Sequence, residues 1–402
     1  MHVVVVGAGP GGLFAAEKCA AAGYEVTVFD QRRSPARKLV LAGRGGLNIT
    51  HSEDIEIFLD RYGPERSQLE SAVGSFDPDD LRAWAAGLGE TTFIGSSGRV
   101  FPESFRAVPM LRAWLRRLRA LGVSFELGQR WLGWDGDVER QVMRFADGGG
   151  VERTVRYDVC VLALGGASWP RVGGDGSWVE LLERVGVEVA PLTGANCGVE
   201  VGWSKVMVDG FAGSPIKNSA LSVDGRVVRG DPVVTSSGLE GGPVYAHSRR
   251  IRELIAGHGS AEITIDLVPD LDEGDIVRRL VERRRKKRST STWLNRCGID
   301  RVGVALMREA TSNVLPDSAD GLGALAKEVP IRVESVAPID RAISSAGGVR
   351  WDSVDEHLEL RSARGTYVVG EMLDWEAPTG GYLLQAVFST ANLAASAITA
   401  RR

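Results

Sequence analysis

The chain opens on an apolar run, and the order of apolar and polar positions after it predicts a strand, a helix and a second strand. Residues 3–6 are four consecutive valines, a pattern typical of a strand buried on both faces. Residues 13–22 are rich in alanine and leucine, as in a core helix, and residues 25–30 form a second apolar run that closes on an acid, Asp30. The start of the chain is therefore predicted to be a βαβ unit.

The turn that joins the first strand to the helix is Gly7-Ala8-Gly9-Pro10-Gly11-Gly12. Gly7 permits the tight turn, Gly9 lets backbone amides approach a pyrophosphate, and Gly12 lets the helix pack closely on the sheet. The helix N-terminus adds free N–H groups and a positive dipole end. Asp30, about 20 residues later, is placed for a ribose hydroxyl. These features predict a dinucleotide site, and the acid favours a ribose without a 2′-phosphate.

Further along the chain, the pattern predicts an amphipathic helix at residues 108–121 and two hairpin strands at 125–134 and 141–145. A buried strand at 157–166 and a short helix at 177–185 follow. Near the end of the chain, another buried strand at 365–371 precedes an alanine-rich helix. From residue 191 the character changes to short alternating strands, with a hairpin signal at 223–226 and a half-exposed strand at 261–267. At 402 residues the chain exceeds what one core usually supports, so this middle section is predicted to be a separate domain.

Composition narrows the classes of function. A net charge of −4 gives no overall attraction to nucleic acid or to an anionic membrane. We expect a cytoplasmic protein without a membrane segment, because no uninterrupted apolar run reaches the roughly 18 residues of a span and the N-terminus lacks a signal-peptide pattern. Cys19 and Cys160 lie in apolar patterns and are expected to be core thiols. No cysteine pair has CxxC or metal-ligand spacing, which excludes a disulfide-reductase mechanism and predicts no metal site.

One local charge feature stands out within the middle section. Residues 275–288 are predicted to be an amphipathic helix that carries Arg278, Arg279, Arg283, Arg284, Arg285, Lys286, Lys287 and Arg288. We interpret this basic helix as a solvated face, because no aromatic residues for base stacking are interleaved. An RNA or anionic-partner surface is the alternative, and nucleic acid is otherwise an unlikely partner.

Taken together, five ordered segments resemble the bacterial BaiN-like (YhiN-like) flavoproteins, a family of predicted NAD(P)/FAD-dependent oxidoreductases. They are residues 42–51, 98–104, 163–170, 346–349 and 370–374 with 378–382. The resemblance covers nearly the whole chain. It implies an α/β fold with a Rossmann-like FAD-binding domain of the glutathione-reductase type, built from residues 1–190 and 336–402. Residues 191–335 would be an inserted substrate or cap domain with a β-barrel-like part and a basic helical part at about 272–312.

The resemblance also assigns residues to the cofactor. Gly7, Gly9 and Gly12 would hold the pyrophosphate and Asp30 the adenosine ribose, while residues 43–48 would line the flavin ring. The amides of residues 380–382 would meet the pyrimidine edge of the flavin, where they stabilise the charge of the reduced state. The full set expected at the cofactor is Gly7, Gly9, Pro10, Gly11, Gly12, Asp30, Gln31, Arg32, Lys38, Gly43, Arg44, Gly45, Gly46, Asn48, Trp131, Gly165, Gly166, Gly370, Glu371, Asp374, Gly380, Gly381 and Tyr382.

One departure from the family bears on the chemistry. Many relatives read Gly-Gly-Gly-Arg-Cys-Asn in the flavin loop, whereas this chain has Leu47 in place of the cysteine and its arginine at Arg44. A mechanism through that thiol is excluded. Arg44 is the candidate for orienting an anionic or carbonyl substrate, with a surface charge as the alternative. His51 is a candidate proton donor, with a structural histidine as the more frequent case.

These expectations lead to a function with alternatives. The sequence predicts an FAD-dependent oxidoreductase that transfers a hydride to or from a small organic substrate, with reduction of an activated double bond as the expected reaction. A flavin monooxygenase and a flavin-dependent RNA-modifying or nucleic-acid-binding protein are the alternatives. Because no second GxGxxG is present, either NAD(P)H docks transiently over the flavin or electrons come from the substrate or a partner.

Overall fold

The computed structural model describes residues 1–284 and 289–401. The chain divides into two compact units, one formed by residues 1–193 with 343–402 and the other by residues 194–342. We refer to them as the nucleotide unit and the inserted unit.

The helices, in chain order, are α1 (Pro10–Ala21), α2 (Arg37–Ala42), α3 (Ile55–Asp60), α4 (Arg66–Ser75), α5 (Pro78–Gly87), α6 (Ala107–Ala120), α7 (Val179–Glu183), α8 (Lys205–Phe211), α9 (Gly242–Ala246), α10 (Ser248–His258), α11 (Glu273–Arg283), α12 (Thr290–Arg296), α13 (Arg301–Ala310), α14 (Ala319–Lys327) and α15 (Tyr382–Ala400). Short 3-10 turns, among them Gly43–Gly45 and Gly370–Met372, connect several of them.

The strands are β1 (His2–Val6), β2 (Glu25–Asp30), β3 (Thr50–His51), β4 (Thr92–Ile94), β5 (Arg99–Pro102), β6 (Ser124–Leu127), β7 (Arg130–Trp134), β8 (Val142–Ala146), β9 (Glu152–Arg156), β10 (Val159–Leu162), β11 (Val189–Ala195), β12 (Val199–Glu200), β13 (Ser219–Val223), β14 (Arg226–Gly230), β15 (Val233–Val234), β16 (Gly238–Glu240), β17 (Ala261–Asp266), β18 (Val329–Val333), β19 (Ser335–Val336), β20 (Ser344–Val349) and β21 (Thr366–Val368).

A five-stranded parallel sheet forms the centre of the nucleotide unit, in the order β21-β10-β1-β2-β6. The valine run is its middle strand, with Val3, Val4 and Val5 fully buried because helices or loops cover both faces. The predicted βαβ unit is confirmed by the register of β1 with β2, His2 opposite Glu25. One prediction is wrong: β6 was expected in a hairpin, but it pairs in parallel with β2 from Thr27 opposite Ser124. The hairpin that follows is β7 with β8 and β9.

The last helix, α15, lies against α1 in the core of the nucleotide unit. Phe388 packs its ring against Phe14 at 5.0 Å and against Trp114 at 5.6 Å between centroids. By length and composition α15 is the one helix, among the described residues, that could cross a membrane, and 61% of its apolar window is buried inside the protein. Its apolar surface is therefore accounted for by core packing.

The inserted unit contains two four-stranded antiparallel sheets, β15-β16-β12-β19 and β14-β13-β17-β18. The predicted hairpin is present, with Val223 opposite Arg226. Helices α8 to α14 surround these sheets and share one apolar core with them, centred on residues such as Leu221, Ile263 and Leu294. Strand β19 belongs to this unit, although residue 336 is the expected start of the second part of the FAD-binding domain.

The basic helix of the sequence prediction corresponds to α11, which ends at Arg283, and residues 285–288 lie outside the described residues. Two of these basic side chains contact residues of the inserted unit itself. Arg278 pairs with Asp275, and the guanidinium of Arg284 lies 5.1 Å from the centre of the Trp293 ring. Both contacts are those of a helix that packs within its own unit.

Candidate functional site

A cleft runs along the carboxyl ends of β1, β2, β10 and β21 in the nucleotide unit, where parallel α/β sheets bind their ligands. The residues expected at the cofactor that line it are Gly7, Gly9, Pro10, Gly11, Asp30, Gln31, Arg32, Lys38, Trp131, Gly165, Gly370 and Glu371. The expected residues outside this lining are Gly12, Gly43, Arg44, Gly45, Gly46, Asn48, Gly166, Asp374, Gly380, Gly381 and Tyr382. Ala42 and Leu383, which adjoin Gly43 and Tyr382 in sequence, do line the cleft.

The three fingerprint glycines have different surroundings. A Cβ on Gly7, whose φ is +109°, would lie 2.3 Å from the carbonyl oxygen of Ala163, and a Cβ on Gly12 would lie 1.9 Å from that of Gly7. Gly9 has open space where its Cβ would stand. Gly7 and Gly12 are thus required for close packing between α1 and the sheet, whereas Gly9 leaves the approach to the backbone amides free for a ligand.

Asp30 lines the cleft where β2 ends. Its carboxylate accepts hydrogen bonds from the amides of Ala8 and Arg32, at 2.7 and 2.6 Å. Burial raises the pKa of Asp30 above its usual value, and the two amides oppose that effect. A carboxylate has about four acceptor positions, so two remain to accept from hydroxyl groups of a ligand.

Three buried polar atoms of the cleft lining have no hydrogen-bond partner among the described residues. They are Nε of Arg32, Oε1 of Gln129 and Nε1 of Trp131, and all three side chains line the cleft. Buried polar groups are nearly always paired, so such a set indicates a polar ligand at this position. The sequence analysis missed Gln129, which lies directly before β7 and two residues before Trp131.

Lys38, which also lines the cleft, bridges two chain segments. Its Nζ donates to Oγ of Ser168 at 2.6 Å and lies 3.0 Å from a carboxylate oxygen of Glu371. Glu371 also accepts the amide of Ser345 at 2.8 Å. A cation and a satisfied carboxylate therefore face the region expected to hold the phosphates and ribityl chain.

The predicted flavin loop, residues 43–48, packs on the segment before α6. The ring of Phe105 would lie 2.5 Å from a Cβ on Gly46, and the amide of Leu47 donates to the carbonyl of Phe105 at 3.2 Å. Asn48 donates to two carbonyls, yet its Oδ1 is buried without a partner in the described residues. That acceptor fits an N–H group of a flavin ring. Arg44 is exposed.

Phe105 belongs to an aromatic patch beside this loop. Its ring centre lies 5.0 Å from that of Phe101 and 6.3 Å from that of Phe93, and Phe93 and Phe105 are 41% and 43% exposed. Phe105 also has a left-handed φ of +58°, which is rare for a bulky residue and costs free energy. We call Phe93, Phe101 and Phe105 the aromatic patch.

Both ring nitrogens of His51 are occupied by backbone groups. Nε2 lies 2.9 Å from the carbonyl oxygen of Ser97, to which it must donate, and Nδ1 accepts the amide of Glu53 at 3.2 Å. The ring also stacks on Tyr382, 5.3 Å between centres. Every polar position of the neutral imidazole is thus in use, the arrangement of a structural histidine.

Tyr382 begins α15 and is tied to a carboxylate that sequence reasoning missed. Its hydroxyl donates to Oε1 of Glu53 at 2.6 Å, and Arg61 binds the same carboxylate through two nitrogens at 3.0 and 2.6 Å. No spacing in the sequence links residues 53, 61 and 382.

The chain is similar to known proteins along its whole length. A sequence profile of the HI0933-like protein Rossmann domain matches residues 1–397. The chain is 25% identical to the 3-dehydro-bile acid delta(4,6)-reductase of Clostridium scindens, with 100% of this chain and 99% of that protein aligned. It is 22% identical to the ribosomal RNA dihydrouridine synthase of Haemophilus influenzae over 98% of both chains.

Solved structures share the fold at low sequence identity. The 3-ketosteroid delta1-dehydrogenase of Sterolibacterium denitrificans superposes with a TM-score of 0.56 at 13% identity, covering 100% of this chain and 99% of that one. A flavocytochrome c3 fumarate reductase in its open conformation gives 0.53 at 14% identity, covering 100% and 78%. The fold is that of FAD-dependent flavoenzymes.

Proposed function

We propose that this chain, which belongs to the HI0933-like Rossmann-domain family and is an FAD-dependent oxidoreductase, reduces an activated carbon–carbon double bond in a small, largely apolar substrate. The observation that carries the proposal is the aromatic patch beside residues 43–48. Exposed aromatic rings are expensive to keep in water and mark binding surfaces for apolar or planar ligands. A left-handed Phe105, held against Gly46, adds strain of the kind that accumulates at functional sites.

The residues of the cleft fit FAD. Gly9 leaves the amides open to the pyrophosphate, Asp30 keeps acceptor positions for the ribose, and the unpaired atoms of Gln129 and Trp131 suit a polar base. Bound FAD supplies the hydride. We propose that Lys38 neutralises phosphate charge and that the aromatic patch excludes water from the apolar part of the substrate.

Two further roles follow from exposure and hydrogen bonding. Arg44, exposed on the flavin loop, would orient a carbonyl or carboxylate conjugated to the double bond through bidentate hydrogen bonds, which withdraws electrons from the carbon that receives the hydride. His51 would order the loop instead of donating the proton, because both of its ring nitrogens bind the backbone.

The relative from Clostridium scindens supports a conjugated ring substrate, since its name describes a reductase of a bile acid. The test is an anaerobic titration of the protein with NADH and NADPH, followed by a panel of enones and their saturated analogues. We expect the enones to reoxidise the reduced flavin and their saturated analogues to leave it reduced. Phe105→Ala should raise KM at least about fivefold, an effect of about 1 kcal/mol, while Val151→Ala, an exposed control, should not.

A second candidate has its own support. The chain aligns with the ribosomal RNA dihydrouridine synthase of Haemophilus influenzae over 98% of both chains, and stacking on the aromatic patch would suit a uracil base as well as an enone. Incubation of reduced protein with ribosomal RNA transcripts separates the two. Reoxidation by RNA and not by any enone would replace the small-molecule proposal. A hydroxylated product formed with consumption of oxygen would favour the monooxygenase alternative.

A further inference from the structure

We propose that Glu53, Arg61 and Tyr382 form a clamp that positions the N-terminus of α15 against bound FAD and thereby raises the reduction potential of the flavin. All three residues lie in the nucleotide unit. The inference rests on the proposed placement of the flavin beside residues 43–48 and 380–382. It adds two residues, Glu53 and Arg61, that lie outside the cofactor cleft.

The N-terminus of α15 carries unused hydrogen-bond donors. Gly380 and Gly381 precede it with φ angles of +139° and +100°, and no side chain caps the helix. Within the described residues, the amides of Tyr382, Leu383 and Leu384 have no acceptor, although Leu383 and Leu384 line the cleft. The first turn therefore presents free N–H groups and the positive end of a 19-residue helix toward the cofactor.

Tyr382 fixes this first turn from the side. Its hydroxyl donates to Glu53 at 2.6 Å, and its own carbonyl oxygen accepts the hydroxyl of Tyr62 at 2.9 Å. His51 stacks on its ring at an interplanar angle of 22°, and Phe58 packs at 4.9 Å between ring centres. The side chain and the backbone of the helix-start residue are thus both held.

Glu53 is held as the acceptor of this contact. Its side chain is 12% exposed, and Arg61 pairs with it through two parallel hydrogen bonds. Burial acts to raise the pKa of Glu53, but the bonds from Arg61 and Tyr382 outweigh it, so that the pKa is lowered and the group stays ionised. Burial, together with the Glu53 charge, raises the pKa of the Tyr382 phenol. The contact is a neutral donor on a fixed anion.

Tyr382 is a positioning residue in this arrangement. Its single proton is directed at Glu53, so that it is not presented to a substrate. Reduced flavin carries negative charge, and donors that are already fixed stabilise such charge without reorganisation. A helix start that can move away gives less of this stabilisation. The clamp should therefore favour reduced over oxidised FAD.

The experiment measures the midpoint potential of bound FAD by equilibration with indicator dyes, together with the Kd of oxidised FAD, in wild type and in Tyr382→Phe, Glu53→Gln and the double variant. No substrate is needed, so the outcome is independent of whether enones are reduced. We expect Tyr382→Phe to lose about tenfold in the ratio of reduced to oxidised FAD affinity, which is about 30 mV for a two-electron couple. Glu53→Gln should lose less, because the neutral amide oxygen still accepts the hydroxyl of Tyr382 but less strongly than a carboxylate. The double variant should lose no more than Tyr382→Phe alone, because that variant already removes the contact.

Arg66→Gln is the matched control, because Arg66 pairs with Glu56 and Asp60 on α3 without touching Tyr382. Its potential should equal that of wild type. If Glu53→Gln fails to fold, Tyr382→Phe keeps the ring and its packing and removes only the hydroxyl, so it decides the matter alone. An unchanged potential in Tyr382→Phe, or an equal fall in Arg66→Gln, would overturn the inference.

Discussion

The fingerprint glycines differ in a way that separates folding from cofactor binding. Gly12 faces the carbonyl oxygen of Gly7, while Gly9 faces open space with an ordinary φ of −80°. Alanine at these two positions adds the same methyl group to the same turn. We expect Gly9→Ala to fold normally and to bind FAD more weakly, and Gly12→Ala to lose stability.

The magnitudes follow from the distances. In Gly12→Ala the new Cβ would stand 1.9 Å from the Gly7 oxygen, where real contacts stay above 3.0 Å, so α1 must move by more than 1 Å from the sheet. Overpacking of this kind costs about 1–3 kcal/mol. In Gly9→Ala the methyl occupies the approach to the pyrophosphate amides, and a loss of about 1.4 kcal/mol weakens FAD binding tenfold.

The assay combines thermal unfolding of the FAD-free proteins with titration of FAD. The expected result is an unchanged unfolding temperature with a raised Kd for Gly9→Ala, and a lowered unfolding temperature for Gly12→Ala. The reasoning fails if Gly9→Ala binds FAD as tightly as wild type. It also fails if Gly12→Ala is as stable as wild type, because α1 would then be free to move.

Three further results are expected. Burial lowers the pKa of His247, so that the unfolded protein binds more protons at this residue than the folded protein below about pH 6.5. The urea midpoint should therefore fall as the pH drops through that value. His247→Gln should make this fall smaller, whereas His258→Gln, at an exposed histidine, should leave it unchanged. Glu17 is 8% exposed, accepts hydrogen bonds from two indole N–H groups and pairs with an arginine. Glu17→Gln should lower the free energy of unfolding, measured by chemical denaturation, by about 1–3 kcal/mol. Glu126→Gln, at an exposed ion pair, should lower it by at most about 0.5 kcal/mol. Lys38→Met removes the cation beside a buried carboxylate in the cleft and should weaken FAD binding about tenfold by titration.

Local patterns predicted the βαβ unit at the start of the chain correctly. The valine strand, the glycine turn and Asp30 are neighbours in sequence and in space, so hydrophobic periodicity and glycine spacing were sufficient to place them on one edge of the sheet. The two buried strands that end at Gly165 and Gly370 were also recognisable, because a continuous apolar run followed by glycine is a local signal.

The remaining features depend on contacts between distant segments. Nothing near Glu53 marks it as the partner of Tyr382, which is 329 residues away, and β6 has the same alternation as a hairpin strand although it extends the parallel sheet. Gln129 has no motif at all; only the enclosure of its amide oxygen without a partner identifies it. The inserted unit has no ligand motif either, so the roles of the predicted domains 1–190, 191–335 and 336–402 stay predictions.

The reduction of an activated double bond of a small substrate by the FAD of this chain can be measured directly. Anaerobically reduced protein should be mixed with a conjugated steroid or bile-acid enone in a stopped-flow instrument, and the product should be weighed by mass spectrometry. We expect the flavin to be reoxidised at a rate that saturates with enone concentration, and the product to be two hydrogen atoms heavier than the enone. A flavin that stays reduced with every enone and is reoxidised by ribosomal RNA would contradict this expectation.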